Sequence, residues 1–305
     1  MESFDKSLDA EACVILTGAG GMLGSAIKDC LETYAPQIKI ITTKRTKQNK
    51  IIVPKIKRKI SLIFHCAGST DADFCERHPR YAYSSIVENT KKMVKLAQQN
   101  NCKLFYPQSF LIYDGKTNPI DENCCPNPIS IYGKYKLKAE EYLIKNLNNF
   151  LVVRMGGFFG GEKKDKNFVG KFYKNLKNAV KNNQKEIIVG DRRWQPTYTK
   201  DLAYNCLLLL GKNKEGIYSM ATDGNTSFFS VAEECVRQLR LSNKIKIMPD
   251  YQKTISKKDI AQRPYQVTLS NSKLKSENLY AIRPWKVALA EYLNSNYFQK
   301  AFYME

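Results

Sequence analysis

The chain has 305 residues, 43% of them hydrophobic and 11% aromatic, and its formal net charge is +20. This composition excludes an intrinsically disordered chain, and the length suffices for one large α/β domain or two lobes. Such a charge is typical of some nucleic-acid binders, but the lysines are dispersed and no recognition-helix, zinc-finger or RNP pattern accompanies them, so we expect capture of an anionic small substrate and no specific nucleic-acid binding.

The cysteines and the N-terminal segment restrict the class of protein further. Nine cysteines and two histidines at irregular spacing, without a CxxC pair, argue against a disulfide framework or a zinc site, and we expect no metal. No apolar run approaches the length of a membrane span, and residues 1–12 lack the basic-then-apolar order of a signal peptide. We therefore expect a cytoplasmic protein with no membrane association.

The first half of the chain alternates short β-rich runs with helical periodicity, which is typical of a parallel sheet with crossover helices. Helical patterns occupy residues 21–35 and 81–99 and the region around Tyr132. The predicted strands are 13–17, 38–43, 61–68, 103–109 and 150–155. We therefore predict an α/β fold with a Rossmann-type doubly wound parallel sheet, formed mainly by residues 1–160.

After Gly161 charged loops surround shorter elements. The predicted helices are 169–180, 200–210, 227–240 and 285–296, and the predicted strands are 186–190 and 216–220. We predict that residues 161–305 form mainly a smaller substrate-binding lobe, with some of these later segments interleaved with the sheet.

The first strand runs directly into the stretch TGAGGMLG, which places Gly18, Gly21 and Gly24 in a GxxGxxG spacing. Glycine permits the tight turn and the close approach of backbone N–H groups to a pyrophosphate, and the helix N-terminus adds a partial positive charge. Between a strand and a helix this motif predicts a dinucleotide site. The predicted contacts are Gly18, Gly21, Met22, Leu23 and Gly24.

The end of the second strand indicates which dinucleotide binds. A free ribose 2′-hydroxyl is usually met there by an acidic residue, whereas a 2′-phosphate needs a cation. This chain has Lys44 and Arg45 and no acid in the stretch TTKRTK. We therefore predict NADPH as the cofactor, with NADH as the alternative.

Tyr132 and Lys136 have the YxxxK spacing that puts two side chains on one helical face. A free tyrosine titrates near 10, and a nearby ammonium can lower that pKa. Tyr132 would then donate a proton to a carbonyl oxygen, Lys136 would hold the nicotinamide ribose, and Ser109 at the end of the preceding strand would orient the carbonyl. Glycine turn, strand-end serine and YxxxK in this order predict a carbonyl reductase.

With these motifs the sequence resembles the extended short-chain dehydrogenase/reductase superfamily, and within it the dTDP-4-dehydrorhamnose reductase family, over nearly the whole chain. The stretches that carry the resemblance are TGAGGMLG, HCAGSTDADFCERHP, VENT, SFLIYDG, IYGKYKLKAEE, VVRMGGFFG, QPTYTKDLA, GIYSM and AQRPYQVTLSNSKL. The resemblance implies NADPH-dependent reduction of the 4-keto group of a nucleotide-linked 4-keto-6-deoxy sugar.

The resemblance also implies roles for individual residues. Ser109, Tyr132 and Lys136 would be the catalytic set, and Tyr132 and Lys136 would also contact the cofactor. Further cofactor contacts would be Cys66, Ala67, Gly68 and Asn89. The sugar nucleotide would contact Thr70, Ser109, Phe110, Tyr132, Gly157, Pro196, Thr197 and Arg263.

Three positions depart from the family pattern on the expected sugar side. A Thr-Asp pair is replaced by Ser109-Phe110, a tryptophan by Gly157, and a glycine-containing segment by Trp194-Gln195. The acid-base pair of the related 4,6-dehydratases is also absent, because Phe110 and Leu111 stand there, and Leu111 replaces the cysteine of bifunctional epimerase/reductases. The exact sugar and its nucleotide are therefore left open.

Two other functions remain open. The β subunit of methionine adenosyltransferase shares this fold and much of the AQRP motif and acts as a cofactor-binding regulatory partner without known catalysis. A related sugar-nucleotide epimerase is the other alternative. The sequence leaves the oligomeric state open, with a homodimer as one option.

Overall fold

The structure, a computed structural model, describes residues 12–46, 49–250 and 259–303. Most of the N-terminal segment that lacks a signal-peptide pattern lies outside these residues. The strands are β1 (Cys13–Thr17), β2 (Lys39–Thr42), β3 (Lys44–Arg45), β4 (Ile51–Ile52), β5 (Ile60–His65), β6 (Lys103–Ser109), β7 (Phe150–Met155), β8 (Phe158–Phe159), β9 (Glu186–Gly190), β10 (Arg193–Trp194), β11 (Thr197–Tyr198), β12 (Gly216–Met220), β13 (Thr226–Ser227) and β14 (Lys246–Asp250).

The α-helices of the described residues are α1 (Met22–Tyr34), α2 (Ala72–Arg77), α3 (Pro79–Tyr83), α4 (Asn89–Asn100), α5 (Ile131–Asn146), α6 (Phe168–Lys181), α7 (Thr199–Gly211), α8 (Phe228–Gln238), α9 (Ser272–Ser276), α10 (Trp285–Leu293) and α11 (Asn296–Tyr303). A π-helical turn (Ser84–Glu88) joins α3 to α4, and 3₁₀ turns occupy Phe110–Ile112 and Glu162–Lys164. Within the described residues, no helix has the length and apolar character that crossing a membrane requires.

Six parallel strands form the central sheet in the order β12-β7-β6-β5-β1-β2. The five predicted strands are confirmed, and three of them have the predicted bounds. The strand predicted at 216–220 joins the same sheet beside β7, so a segment of the second half does interleave with the first.

The side chains of β1 point alternately to the two faces of the sheet, and this explains why both faces are covered by helices. Val14 and Leu16 pack into one core with α1 and α7, whereas Cys13 and Ile15 pack into another with α4 and α5. A strand that is buried on both faces needs helices on both sides. The sheet is therefore doubly wound, as predicted.

A separate hydrophobic core lies in the second half of the chain. It gathers apolar side chains from α6, α8, α10, β9 and β14, among them Leu176, Val231 and Leu289. β14 pairs in parallel with β9, and its stretch KIMPD did not predict a strand because it is short and interrupted by lysine and proline. The assignment of substrate binding to residues 161–305 stays a prediction.

The chain leaves β1 toward β2 on one side and later enters β5 on the other. Such a reversal of strand order opens a crevice beyond the carboxyl ends of the two central strands, where ligands of open α/β sheets bind. The loops after β1, β5 and β6 meet at this edge.

Candidate active site

The loop between β1 and α1 packs against the loop that follows β5. Gly18 has a φ of +72°, and a Cβ on it would lie 2.8 Å from backbone atoms of Cys66 and Ala67. Gly21 donates its backbone N–H to the Gly18 carbonyl oxygen at 2.9 Å. A Cβ on Gly24 would lie only 2.2 Å from that same oxygen. The glycine spacing is therefore required by backbone-to-backbone packing, and it brings the turn next to the predicted cofactor residues after β5.

The N-terminus of α1 is open above this turn. Gly20 and Gly21 are exposed, and a Cβ on Gly20 would meet nothing within 4 Å. In the described part of the chain no side chain caps α1. The N–H groups of its first turn, which begins at Met22 and Leu23, and the helix dipole suit a pyrophosphate.

Gly24→Ala is expected to lower the free energy of unfolding by about 1–3 kcal/mol, because the new methyl group has to displace the Gly18 carbonyl. Chemical denaturation measures the effect. Gly20→Ala is the matched control, since its methyl group enters open space. Equal stabilities of the two variants would contradict the packing argument.

Lys44 and Arg45 lie on a hairpin that follows β2. β3 pairs antiparallel with β4, with Lys44 opposite Ile52, and both cations are exposed. Arg45 Nη1 donates to Asn49 Oδ1 at 2.8 Å. Two exposed cations therefore follow β2, where residues of this type of fold contact the 2′-substituent of the ribose.

Asn89 is buried and engaged by the same hairpin. Its Nδ2 donates to the carbonyl oxygens of Asn49 at 2.8 Å and Ser85 at 3.2 Å, and its Oδ1 accepts the N–H of Ile51 at 3.1 Å. The amide thus fixes the hairpin that carries Arg45 to the start of α4. A direct contact of Asn89 with the cofactor stays a prediction.

Ser109 ends β6, and Tyr132 lies in the first turn of α5. Burial raises the pKa of Tyr132, and the nearby Ser109 side chain acts in the opposite direction. Ser130 caps α5 by accepting the Gly133 N–H at 3.1 Å, which sets the start of the helix. Tyr132 is only 7% exposed. The strand end and the capped helix therefore bring the two predicted catalytic hydroxyl groups together.

Lys136 follows Tyr132 by one helical turn. Its Nζ donates to the Pro107 carbonyl oxygen at 2.7 Å and lies 3.8 Å from the centroid of the Tyr106 ring. Burial lowers the pKa of Lys136 to about 7, although the Glu140 carboxylate acts in the opposite direction. The ammonium is therefore held beneath the end of β6.

The expected lowering of the Tyr132 pKa is wrong for this structure. Burial raises the pKa of Tyr132 to about 12, and the nearby Ser109 side chain offsets only part of that effect. The Lys136 ammonium is instead bound by the Pro107 carbonyl. At neutral pH Tyr132 is protonated, which suits it to donate a proton rather than to accept one.

Gly157 and Trp194, two of the positions that depart from the family pattern on the predicted sugar side, are in contact. A Cβ on Gly157 would lie 2.5 Å from Cε3 of Trp194 and 3.6 Å from Cε1 of Phe110. Trp194 is buried and packs edge-to-face on Phe168 and Phe228. The Trp194 ring therefore takes the space beside position 157, and glycine there is its consequence.

Most of the other predicted substrate residues are buried or already bonded to other parts of the protein. Thr197 is fully buried, donates to the Gln195 carbonyl at 3.1 Å and accepts the Thr222 N–H at 2.9 Å. Arg263 Nη1 donates to Asp73 Oδ1 at 2.9 Å, which ties its segment to α2. Pro196 is buried and Thr70 is exposed in the loop before α2. Their substrate contacts stay predictions.

A cavity of about 320 Å³ opens beside the N-terminal end of α5. Its lining residues are Ile129, Arg192, Asp259, Ala261, Gln262 and Arg263. Arg192 Nη2 lies 2.7 Å from Asp259 Oδ2. Arg192 was not predicted, because arginines in a loop give no periodic signal. Glu140 was not predicted either, although a carboxylate four residues after Lys136 on a helix is detectable.

The family model of the RmlD substrate binding domain matches residues 12–298. The chain is 25% identical over 302 residues to methionine adenosyltransferase 2 subunit beta of Xenopus tropicalis, which covers 92% of this chain and 86% of that protein. It is similar to the crystal structure of a dTDP-4-dehydrorhamnose reductase from Clostridium acetobutylicum, with 26% identity, a TM-score of 0.79, and coverage of 92% of this chain and 98% of that one.

A dTDP-4-dehydrorhamnose reductase from Bacillus anthracis, solved in complex with NADP, shares the fold with a TM-score of 0.80 at 22% identity, over 93% of this chain and 99% of that one. The family match spans nearly all the described residues, including the glycine turn, Ser109 and the Tyr132 helix. The chain therefore belongs to the RmlD substrate binding domain family, and the resemblance to the dTDP-4-dehydrorhamnose reductases is confirmed.

Proposed function

We propose that this protein is an NADPH-dependent oxidoreductase that reduces the 4-keto group of a nucleotide-linked 4-keto-6-deoxy sugar. The observation that carries the proposal is that Ser109 and Tyr132 come together at the carboxyl edge of the sheet, where the Ser109 side chain acts on the Tyr132 hydroxyl. The same edge carries the glycine turn. Hydroxyl groups that can orient and protonate a carbonyl oxygen thus lie at the crevice where a dinucleotide binds in this fold.

The protonation states favour the reductive direction. With its pKa raised to about 12 by burial, Tyr132 holds its proton at neutral pH and donates it to the oxygen as negative charge develops there. Ser109 holds the carbonyl in place. The reaction then leaves a tyrosinate, which takes up a proton from solvent before the next turnover.

The open turn and the N-terminus of α1 fit the pyrophosphate of NADPH, and Lys44 and Arg45 fit its 2′-phosphate. When bound, NADPH supplies the hydride. Lys136 holds the nicotinamide ribose, while Cys66, Ala67 and Gly68 line the cofactor beside the glycine turn.

Arg45→Asp is expected to lower the preference for NADPH over NADH by about 10- to 100-fold, because one charge-assisted hydrogen bond to phosphate is lost and a repulsive carboxylate is added. Fluorescence titration with both nucleotides measures the preference. Arg240→Asp, the same charge change at an exposed site after α8, is the control. Equal wild-type affinities for NADPH and NADH would contradict the assignment of these cations.

The sugar nucleotide is proposed to lie between the Ser109–Tyr132 pair and the cavity beside Ile129. Arg192 and Arg263 bring two guanidinium groups to that cavity, where Asp259 contacts both of them and Asp73 of α2 contacts Arg263. Guanidinium groups that are held in place in this way suit the diphosphate of a nucleotide sugar. Phe110 and Gly157 would then face the sugar.

A panel of enzymatically prepared 4-keto-6-deoxy sugar nucleotides with dTDP, UDP, GDP and CDP tests the proposal. NADPH oxidation followed at 340 nm (the absorbance band of the reduced nicotinamide) should appear with at least one of them, and NMR of the product then gives the stereochemistry. The same panel determines the nucleotide and the sugar. No oxidation with any member would contradict the reductase proposal.

The second candidate function is a non-catalytic, NADP-binding subunit. The 25% identity to methionine adenosyltransferase 2 subunit beta over 92% of this chain favours it. Such a subunit would bind NADPH but leave every member of the panel unreduced, and it would change the activity of a methionine adenosyltransferase added to the assay. A homodimer stays a prediction, which light scattering of the purified protein tests.

A further inference from the structure

Gln108 is buried directly behind Ser109, at 2% exposure. Its Oε1 accepts the Ser109 backbone N–H at 2.8 Å. Its Nε2 donates to the Lys136 carbonyl oxygen at 3.0 Å and to Glu140 Oε2 at 2.6 Å. One amide thus contacts both the strand that carries Ser109 and the helix that carries Tyr132 and Lys136.

The orientation of this amide is fixed by an ion pair. Glu140 Oε1 accepts from Arg154 Nε at 3.2 Å and from Arg154 Nη2 at 2.5 Å, and both residues are buried. Arg154 Nη1 also donates to the Tyr113 hydroxyl at 2.7 Å. Because Glu140 is an acceptor and the Ser109 N–H is a donor, a flipped Gln108 amide would lose both contacts.

We propose that Gln108 is a positioning residue, which with Glu140 and Arg154 holds Ser109 in register with Tyr132 and Lys136. The inference rests on the proposed function for its effect on rate, but its geometric part does not. Lys136 Nζ on α5 donates to the Pro107 carbonyl on β6, and the Gln108 amide adds three hydrogen bonds of the required polarity beside that contact. A shift of about 1 Å in a reacting group can cost about 100-fold in rate.

Gln108→Met keeps the length of the side chain and removes the three hydrogen bonds. We expect kcat to fall by about 10- to 100-fold and the affinity for NADPH to fall less than kcat, since the glycine turn and the hairpin are untouched. Amide hydrogen exchange, read by NMR, should become faster at Ser109. The control is Asn205→Leu, which removes two hydrogen bonds of a buried side chain on the opposite face of the sheet and should change stability but neither kcat nor exchange at Ser109.

Two variants that add a carboxylate at position 108 and then exchange it with position 140 separate an effect on positioning from a general loss of stability. Gln108→Glu sets a second carboxylate against Glu140 and should lower kcat, whereas the double variant Gln108→Glu/Glu140→Gln restores a donor opposite an acceptor and should recover part of it. This pair also decides the matter if Gln108→Met fails to fold.

The two proposals fail in different ways. If wild-type protein reduces no 4-keto sugar nucleotide, the proposed function fails, while exchange at Ser109 still tests the positioning. If Gln108→Met retains the kcat of an active wild type, or leaves exchange at Ser109 unchanged, the positioning proposal is overturned. A double variant no better than Gln108→Glu would overturn it as well.

Discussion

Tyr132→Phe is expected to lower kcat and kcat/KM together by about 10²- to 10⁴-fold, the range typical of general acid catalysis. The hydroxyl beside Ser109 is lost, while the ring stays packed at 7% exposure. NADPH binding and the melting temperature should therefore change little. Steady-state kinetics on the substrate found in the panel measure the effect.

Tyr135→Phe is the matched control for that variant. Tyr135 lies on the same helix, where its ring contacts Tyr83 edge-on, and the loss of its hydroxyl should leave kcat unchanged. Near-wild-type turnover of Tyr132→Phe would show that Tyr132 is only a packed aromatic residue. A large fall in NADPH affinity would show instead that its hydroxyl serves the cofactor.

Lys136→Met is expected to lower both kcat and the affinity for NADPH, each by about 10- to 100-fold, because the proposed role of its ammonium is to hold the nicotinamide ribose in place for the reaction. Kinetics and fluorescence titration measure the two effects separately. Lys138→Met, at an exposed position on the same helix, is the control. A loss of rate at unchanged affinity would contradict the ribose contact.

The lowered pKa of Lys136 predicts that NADPH binding depends on pH. Burial lowers the pKa of Lys136 to about 7, against the opposing effects of Glu140 on α5 and the Cys66 thiol after β5, while the neighbouring His65 is neutral because burial lowers its own pKa to about 3. In the free protein the ammonium is present below pH 7 and is lost above it. Because bound phosphates favour the ammonium, the dissociation constant for NADPH should rise between about pH 7 and 9 in the wild type only.

The free energy of unfolding should also depend on pH through Lys136. An unfolded lysine titrates near 10.4, so between about pH 7 and 10 the unfolded chain binds more protons than the folded protein, and Lys136 makes stability rise with pH across that window. Lys136→Met should remove this part of the slope. Identical pH profiles of stability for wild type and variant would contradict the lowered pKa.

The sequence by itself determined the strands of the central sheet, the glycine turn and the order of the proposed catalytic residues. Each is a local property: β1 is an apolar run bounded by glycine, Gly18 and Gly24 mark a turn that tolerates no side chain, and the YxxxK spacing fixes one helical face. Local patterns of this kind are dictated by backbone sterics and by burial of every second or every third to fourth residue. They suffice to predict the fold class and to place Ser109, Tyr132 and Lys136 at one edge of the sheet.

Only the tertiary structure decided the pKa values of those residues and their contacts with distant parts of the chain. Burial, a property of the whole core, raised the pKa of Tyr132 when the spacing alone predicted a lower one. Contacts between residues far apart in the chain placed the Trp194 ring beside Gly157 and engaged Asn89 with the hairpin of Arg45. They also joined Gln108 to Glu140 across 32 positions. Desolvation and long-range hydrogen bonds depend on which elements pack together, and for that reason these features follow from the fold and not from the spacing of residues along the chain.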